Sequence, residues 1–329
     1  MMTAKENFLE AIKGGKPERY VRQFEATITP YTDPFNATNP ACWQPGDTAV
    51  DFWGVTWSWP EGTPGAFPVH TPDKVVLEDI EEWKNVVKAP PLEYSDELWE
   101  AAKADYAKYD RNEVLVGPCM FPGLFECTHN LMGIENALCA FYTNPDEMHE
   151  LIDFIVDWEI AYLKQMAEHL HPEFVLHHDD WGSSKSTFLS PEMFKEFYLE
   201  PYKRLYKAYK DNGFKYIVHH SDSYAANYVP FMIEMGIDVW QGGTILNDIP
   251  ALVKQYGGQI SFMTGIDSQL VDTPDWSRER IAETVRKVCT DCGKLYLIPC
   301  QTQGCDYSTF PEVYGIINEE IDKMSTEMF

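Results

Sequence analysis

The sequence predicts an α/β protein of the (β/α)8, or TIM, barrel class, with an N-terminal insertion or cap rich in Trp, Pro and Gly. Two observations indicate this fold. Short apolar runs alternate with helical patterns from about residue 110 onward, and the length of 329 residues, 44% of them apolar, suits one decorated barrel domain over residues 1–329. A doubly wound sheet is the alternative, although neither a GxGxxG nor a GxxxxGK[ST] motif supports nucleotide binding.

The helical patterns carry start and stop signals at their ends. An N-terminal amphipathic helix is predicted to end at Gly14–Gly15. Ser190 before Pro191, and Asn144 before Pro145, place a capping residue and a first-turn proline at the start of two longer helices.

Seven runs are predicted to be strands. Each is short and almost continuously apolar, as expected for parallel strands that are buried on both faces. Each is followed by polar, Gly or Cys residues, and usually then by a helix. In chain order the runs are YVRQFEA (Tyr20–Ala26), VLVGPCMF (Val114–Phe121), FVLHHDDWG (Phe174–Gly182), YIVHHSDS (Tyr216–Ser223), DVWQGG (Asp238–Gly243), ISFMTGIDS (Ile260–Ser268) and LYLIPCQTQG (Leu295–Gly304).

The segment from Thr29 to Trp83 differs from the rest of the chain because it is rich in Pro, Gly and Trp. We predict a cap over the barrel mouth at about residues 29–83, since such loops often form lids and substrate walls. Trp53 and Trp57 are the substrate-binding candidates within it. The alternative is that its tryptophans only pack the insertion against the barrel.

The formal net charge of -26 limits the partners of this protein. So acidic a chain argues against binding nucleic acid or an anionic membrane surface, both of which repel anions. No stretch approaches the ~20 apolar residues that span a bilayer, and the N-terminus lacks the apolar part of a secretory signal, so we expect a cytoplasmic location. The eight cysteines should then be reduced thiols, with Cys289-x-x-Cys292 either an incidental pair or a redox or zinc pair.

Polar residues follow the predicted strands, which is where the functional residues of a barrel gather. Two strand ends each carry two histidines followed by acidic residues, a pattern that scattered surface residues rarely repeat. The strand-end candidates are Glu25, Cys119, His177, His178, Asp179, Asp180, His219, His220, Asp222, Gln241, Asp267, Cys300 and Gln301.

His220, Asp222 and Cys300 form a candidate ligand set for one metal ion. Residues i and i+2 of an extended segment face the same way, so His220 and Asp222 could reach one ion together. Cys300 would come from another strand end, and zinc accepts imidazole, carboxylate and thiolate ligands. The alternative is a hydrogen-bonded histidine beside an aspartate that caps a loop.

The stretch HHDDWG provides a second group of candidates. Asp180 could act as a base, bind substrate or orient another residue, and a second metal site there is a further alternative. Trp181 beside it, and Gln241 at the end of another strand, are candidate substrate-binding residues.

Several segments resemble the uroporphyrinogen decarboxylase superfamily. They are HHDDWGSSKSTFLSPEMFKEFYLEPYKRL, HHSDS, ENALCAFYTNPDEMHELIDFIVDW and LIPCQTQG, and the similarity extends from about Gly117 to the C-terminus. The superfamily contains decarboxylases, which carry an Arg-rich RQAGRY motif, and cobamide-dependent methyltransferases. Only Arg19 and Arg22 occur in the corresponding ERYVRQFEATITP. The resemblance therefore favours the methyltransferase branch, whose fold is a TIM barrel.

The resemblance implies a zinc ion held by a His-x-Cys pair and a distal cysteine. His220 matches the histidine and Cys300 the distal cysteine, while Asp222 stands in place of the first cysteine. A carboxylate in place of a thiolate makes a harder, more Lewis-acidic centre, suited to polarising an ether oxygen. Without zinc, Asp180 or His178 would donate a proton to the leaving group. His178, Asp180 and His220 are thus the catalytic candidates.

The first methyltransferases of O-demethylase systems, which this chain resembles, fit that chemistry. The resemblance implies that a methyl group passes from a small methylated donor, a methoxyaromatic, to Co(I) of a cobamide carried by a separate corrinoid protein. A lyase that uses Asp180 and Arg22 on a small carboxylic acid is the alternative. A non-catalytic binding protein is disfavoured, since buried polar groups without a role are costly. The sequence leaves the donor, the corrinoid protein and a homodimer undetermined.

Overall fold

Parallel strands form the centre of the fold, which we describe for residues 2–63 and 65–329 of a computed structural model. In chain order the strands are β1 (Thr27–Ile28), β2 (Thr48–Val50), β3 (Thr56–Ser58), β4 (Phe67–Pro68), β5 (Leu115–Val116), β6 (Cys119–Met120), β7 (Phe174–His178), β8 (Tyr216–His220), β9 (Val239–Gln241), β10 (Ser261–Ile266) and β11 (Leu297–Gln301).

Helices cover the outside of these strands. In chain order they are α1 (Ala4–Lys13), α2 (Pro34–Thr38), α3 (Trp83–Val86), α4 (Asp96–Tyr106), α5 (Leu124–Met132), α6 (Ile134–Thr143), α7 (Pro145–Leu170), α8 (Pro191–Phe194), α9 (Glu200–Asp211), α10 (Val229–Met235), α11 (Ile249–Tyr256), α12 (Ser268–Val271), α13 (Arg278–Cys292) and α14 (Pro311–Met328). A π-helical turn joins α8 to α9. None of the helices in the described parts of the chain is both long and apolar enough to cross a bilayer.

The strand order is that of the predicted TIM-type barrel. Strands β6 to β11 form one parallel sheet in sequence order, and β1 pairs in parallel with β5. Only Gly117 and Pro118 separate β5 from β6, so the sheet of β1 and β5 is directly connected to the sheet of β6 to β11. Within residues 2–63 and 65–329, no ladder joins β11 to β1 and no eighth barrel strand forms.

The first barrel strand lies later in the chain than the sequence predicted. The run Tyr20–Ala26 does not form a strand, and β1 begins only at Thr27. A turn occupies part of the predicted strand, because the Glu25 amide donates to the Arg22 carbonyl and the Glu25 carboxylate pairs with Arg19. The prediction of a strand there was therefore wrong.

Helix α1 closes the N-terminal end of the barrel. Phe8 and Ala11 pack against the inward-facing side chains nearest the N-terminal ends of the strands. The amide of Tyr296, just before β11, donates to the carbonyl of Ala11 at 2.9 Å. The helix ends where the sequence predicted, at Gly14, which has a φ of 71° and would clash with Tyr296 if it carried a Cβ.

Residues 29–83 include a small antiparallel sheet in the order β2-β3-β4. Trp53 is buried beside this sheet and packs edge-on against Trp158 of α7, with ring centroids 5.3 Å apart. Trp57 is fixed differently, because its Nε1 donates to the buried Asp51 carboxylate at 2.8 Å. The segment is thus tied to the helical layer through Trp53, while Trp57 belongs to the wall of a cavity described below.

Gly117 makes the tightest backbone contact in the barrel wall, and this contact leads to a prediction about stability. A Cβ at this position would overlap the carbonyl oxygen of Phe174 in β7. We expect Gly117→Ala to lower the free energy of unfolding by about 1–3 kcal/mol, since added volume in a packed core cannot be absorbed. Gly315→Ala is the control: Gly315 lies exposed in α14 with free space around it, so alanine should stabilise by up to about 1 kcal/mol. Urea and thermal unfolding would measure the stability of both variants. Equal changes in the free energy of unfolding for Gly117→Ala and Gly315→Ala would contradict the importance of the close approach.

Candidate functional site

The two histidine pairs divide between the two faces of the barrel wall. Neighbouring residues of a strand point to opposite faces, so His177 and His219 face the helices. The Nε2 of His177 lies 3.2 Å from Glu159 of α7, and Tyr206 of α9 bonds the Nδ1 of His219 at 2.7 Å. The first histidine of each pair is therefore held in the layer between strands and helices.

The second histidine of each pair faces the barrel interior. His178 and His220 are paired in the ladder between β7 and β8, and their rings stack with centroids 4.5 Å apart. Asp180 lies beside them, and the three side chains offer ligand atoms that all lie within 4.8 Å of one another. This group, His178, Asp180 and His220, is called the strand-end cluster below.

Gln241 fixes the ring of His220. The Nδ1 of His220 lies 2.9 Å from the Oε1 of Gln241 in β9, and since that oxygen can only accept, Nδ1 carries the proton. Burial lowers the pKa of His220 to about 4, which keeps the ring neutral. A neutral ring protonated at Nδ1 leaves a lone pair on Nε2, the arrangement that a metal-binding or proton-accepting histidine needs.

Glu126 of α5 holds His178 and is a functional candidate that the sequence reasoning missed. Its Oε2 lies 2.9 Å from the Nδ1 of His178, and burial raises the pKa of Glu126 to about 7. Burial alone would lower the pKa of His178, but the Glu126 carboxylate overrides it and raises the value to about 10. Glu126 follows no strand directly, and an acidic residue in a first helical turn is too common to stand out.

Asp222 lies next to the strand-end cluster. Its backbone amide donates to the Oδ1 of Asp180 at 2.8 Å. Burial, followed by the nearby Asp180 carboxylate, raises the pKa of Asp222 to about 8. Two carboxyl groups so close together disfavour each other's ionisation.

The structure brings together a different group from the sequence-based ligand set of His220, Asp222 and Cys300, which stays a prediction. In the described residues, the group within ligand distance consists of His178, Asp180 and His220, and it includes neither Asp222 nor Cys300. Cys300 lies on β11, which is separated from β8 by two strands, and its thiol is buried among apolar side chains of the barrel interior. Burial raises the pKa of that thiol.

Trp181 and Asp179 support the site from the side of the barrel wall that faces the helices. Trp181 is 1% exposed and stacks on His219, and it does not line the cavity beside His178; its role as a substrate contact stays a prediction. Asp179 accepts hydrogen bonds from the Trp181 indole and from the amides of Phe125 and Glu126 at the start of α5. The carboxylate thereby holds the helix that presents Glu126 to His178.

A cavity of about 330 Å³ opens beside His178. Aromatic rings lead from the histidine toward the small antiparallel sheet: His178 meets Phe121 at 4.9 Å, and Phe121 meets Trp57 at 5.5 Å. The structure thus places Trp57 in the cavity wall, as predicted for a substrate contact, and leaves Trp53 in the packing behind it. Other lining residues are Tyr31, Asn36, Asn39, Trp43 and Asp51.

Of the other strand-end candidates, Cys119 lines this cavity and Glu25 lies outside it, as does Arg22. Arg22 forms an exposed ion pair with Asp322 of α14 at 2.5 Å, and Glu25 pairs with Arg19. All eight cysteines are free thiols, and Cys289 and Cys292 belong to no metal-binding group within residues 2–63 and 65–329. A larger cavity of about 730 Å³ adjoins Cys292 at the opposite end of the barrel and contains none of the strand-end residues.

The loop after β11 covers His220. Gly304, with a φ of 72°, lies so close that a Cβ there would overlap the imidazole ring. Gln301 holds this loop, since its Nε2 donates to the carbonyls of Cys305 and Tyr307. The site is thus bounded by Gln241 on one side and by this loop above.

Comparisons with known proteins match this chain to one family. The family model for uroporphyrinogen decarboxylase (URO-D) matches residues 52–297. A methylated-thiol–coenzyme M methyltransferase of Methanosarcina mazei is 26% identical over 187 residues, which are 54% of this chain and 48% of that protein. The chain therefore spans about half the length of this curated relative.

A solved structure shares the fold. The structure described as a methyltransferase from Methanosarcina mazei superposes with a TM-score of 0.67, covering 98% of this chain and 99% of that one at 14% sequence identity. Identity this low supports the fold alone, and it confirms the predicted TIM-type architecture.

Metal analysis of variants distinguishes the two ligand sets. If the strand-end cluster binds a divalent metal, His220→Ala and Asp180→Ala should each lose most of it, because removing one of three ligands weakens a site severely. Cys300→Ser and Asp222→Asn should keep it. Elemental analysis of the purified proteins measures the content. Loss of metal in Cys300→Ser would instead support His220, Asp222 and Cys300.

Proposed function

This chain belongs to the uroporphyrinogen decarboxylase family, and we propose that within it the chain is a cobamide-dependent methyltransferase that demethylates a small methoxyaromatic compound. The observation that carries the proposal is the strand-end cluster beside an aromatic cavity, at the carboxyl ends of the barrel strands. In this fold, chemistry is performed at that end. The name of the Methanosarcina relative supports methyl transfer as the reaction class.

The aromatic cavity supports an aryl donor. Its volume of about 330 Å³ lies at the small end of ligand pockets, which suits a single ring. Phe121 and Trp57 both line the cavity and offer aromatic surface to a bound ring. A ring bound there would place its methoxy group near His178, which lines the same cavity.

The residues of the site supply what ether cleavage requires. Aryl O-demethylation moves the methyl group to the nucleophilic Co(I) acceptor and leaves a phenolate, so the enzyme must position the donor and stabilise the departing oxygen. Without a bound metal, His178, held by Glu126 at 2.9 Å, can donate a proton to that oxygen. Gln241 holds His220, and Asp222 anchors Asp180 through its backbone amide, so the groups are fixed before the donor binds.

The strand-end cluster also fits a zinc ion. Two imidazoles and one carboxylate are suitable ligands, and the Nδ1 atoms of both histidines already contact Gln241 and Glu126, as in zinc sites whose ligands are oriented from behind. When bound, zinc would act as a Lewis acid toward the ether oxygen. No thiolate belongs to the cluster, which makes the site harder than one with cysteine ligands and more suited to oxygen than to sulfur.

We propose that a separate corrinoid protein docks over the barrel mouth. Exposed apolar side chains stand in the segments that follow the barrel strands: Phe188 after β7, Ile245 and Leu246 after β9, and Leu270 after β10. A rim of this kind is typical of an interaction surface. The methyl acceptor could approach the cavity from this side.

The lyase alternative has less support. It required Arg22 at the site, but Arg22 pairs with Asp322 on the outside of the barrel. No lysine or arginine lines the cavity within the described residues, and the His178 imidazole that does line it is already paired with Glu126.

A methyl-transfer assay tests the proposed function. The full chain, a Co(I) corrinoid protein and a panel of O-, N- and S-methyl donors would be incubated under reducing conditions, and the change from Co(I) to methyl-Co(III) would be followed by absorbance. We expect transfer from single-ring methoxyarenes. Transfer from none of the donors would refute the proposal, and release of carbon dioxide without a corrinoid would favour the lyase.

His178→Gln tests the role of the histidine in this reaction. If His178 stabilises the leaving oxygen, kcat should fall by about 10²–10⁴-fold, the usual contribution of general acid catalysis. His149→Gln is the control, because His149 lies on α7, stacked on Phe197 and outside the barrel interior. A similar loss of rate in both variants would contradict the assignment.

A further inference from the structure

The far end of the aromatic cavity has a charge character that the proposed function does not use. The row of rings that begins at His178 passes through Phe121 to Trp57, and the Trp57 indole donates to Asp51 at 2.8 Å. The rings of Phe121 and Trp57 therefore lie between Asp51 and the strand-end cluster. Substituents on the distal side of a bound ring would meet this end.

The polar groups that line this end are neutral or acidic. Asn36 donates to Asp33 and to the Cys119 carbonyl, which leaves its Oδ1 as a hydrogen-bond acceptor. Asn39 accepts from the Phe52 amide, which leaves its NH2 as a donor. Such groups suit a phenolic hydroxyl, which both donates and accepts.

Among the described residues, no lysine or arginine forms an ion pair with the buried Asp51 side chain. The Asp51 side chain accepts bonds from the Val55 amide and the Trp57 indole, both of which are uncharged. Within residues 2–63 and 65–329, the residues lining the cavity include neither lysine nor arginine. At its other end His178 is paired with Glu126, with Asp180 and Asp222 nearby, and the whole chain carries a net charge of -26.

We propose that this cavity selects uncharged methoxyarenes, particularly methoxyphenols, and rejects rings that carry a carboxylate. The proposal rests on the proposed function and narrows its substrate class. With the methoxy group at His178, an anionic substituent on the distal side of the ring would lose its hydration without gaining a cation at the far end, and would lie near the Asp51 side chain in surroundings of low dielectric constant. Repulsion of one ligand can set specificity as effectively as attraction of another ligand.

Binding of two matched probes tests this selectivity. 4-Hydroxy-3-methoxybenzamide and 4-hydroxy-3-methoxybenzoate have nearly the same shape, and at pH 7 they differ in charge. Calorimetry or quenching of tryptophan fluorescence with the full chain would give both affinities. We expect the amide to bind at least about tenfold more tightly, from the Coulomb repulsion of a partly buried pair. The preference should persist after treatment with a chelator, which removes any contact between the carboxylate and a bound metal.

Two variants probe the cause. Asn39→Arg should place a cation in the cavity wall and strengthen benzoate binding about tenfold or more. Asn85→Arg, on the exposed helix α3, makes the same charge change elsewhere and should leave the preference unaltered. Asp51→Asn should also reduce the preference for the amide. Asparagine has only one acceptor oxygen for the Val55 amide and the Trp57 indole, so the folding of this variant would be checked by circular dichroism.

The outcomes separate this inference from the proposed function. Equal or tighter binding of the benzoate overturns the inference, even if methyl transfer from methoxyarenes is found. Failure of both probes to bind also overturns it. Selective binding of the amide without methyl transfer from any donor supports the inference and refutes the proposed function.

Discussion

The parallel register of β7, β8 and β9 is the constraint on which the candidate site depends. Ladder pairing sets His178 opposite His220, and His220 opposite Gln241, so three inward side chains from three strands lie at one level of the barrel. A shift of one residue in any strand would turn its functional side chain toward the helices. Stacked histidines in the interior and the hydrogen bond to Gln241 are direct consequences of this register.

The outward residues of the same strands position the rest of the site. Asp179 accepts the amides at the start of α5, and α5 in turn presents Glu126 to His178. A buried carboxylate at a helix N-terminus is stabilised by the amides it receives and by the helix dipole. The inward and outward halves of the HHDD stretch therefore have different tasks: His178 and Asp180 form the cluster, while His177 and Asp179 fix the elements that support it.

Charge and shape act together at the mouth of the barrel. The interior near His178 holds several carboxyl groups, and the cavity that leads away from it is walled by Phe121 and Trp57. Burial of acidic groups without cations is costly and persists only where the surrounding structure supports it. The combination supports the proposal of a neutral aromatic ligand whose polar atoms meet amides and histidines.

The sequence by itself determined the barrel class, the strand ends and the short set of polar residues found there, since periodicity and capping signals are local properties of the chain. His178, Asp180 and His220 were all among the candidates read from those ends. Only the tertiary structure decided which ends meet. Cys300 is not in the group that lies within ligand distance in the described residues, whereas Glu126 reaches His178 from a helix that no strand-end rule would select. Strand order, stagger and the packing of α5 set these distances, and none of them is encoded in local spacing.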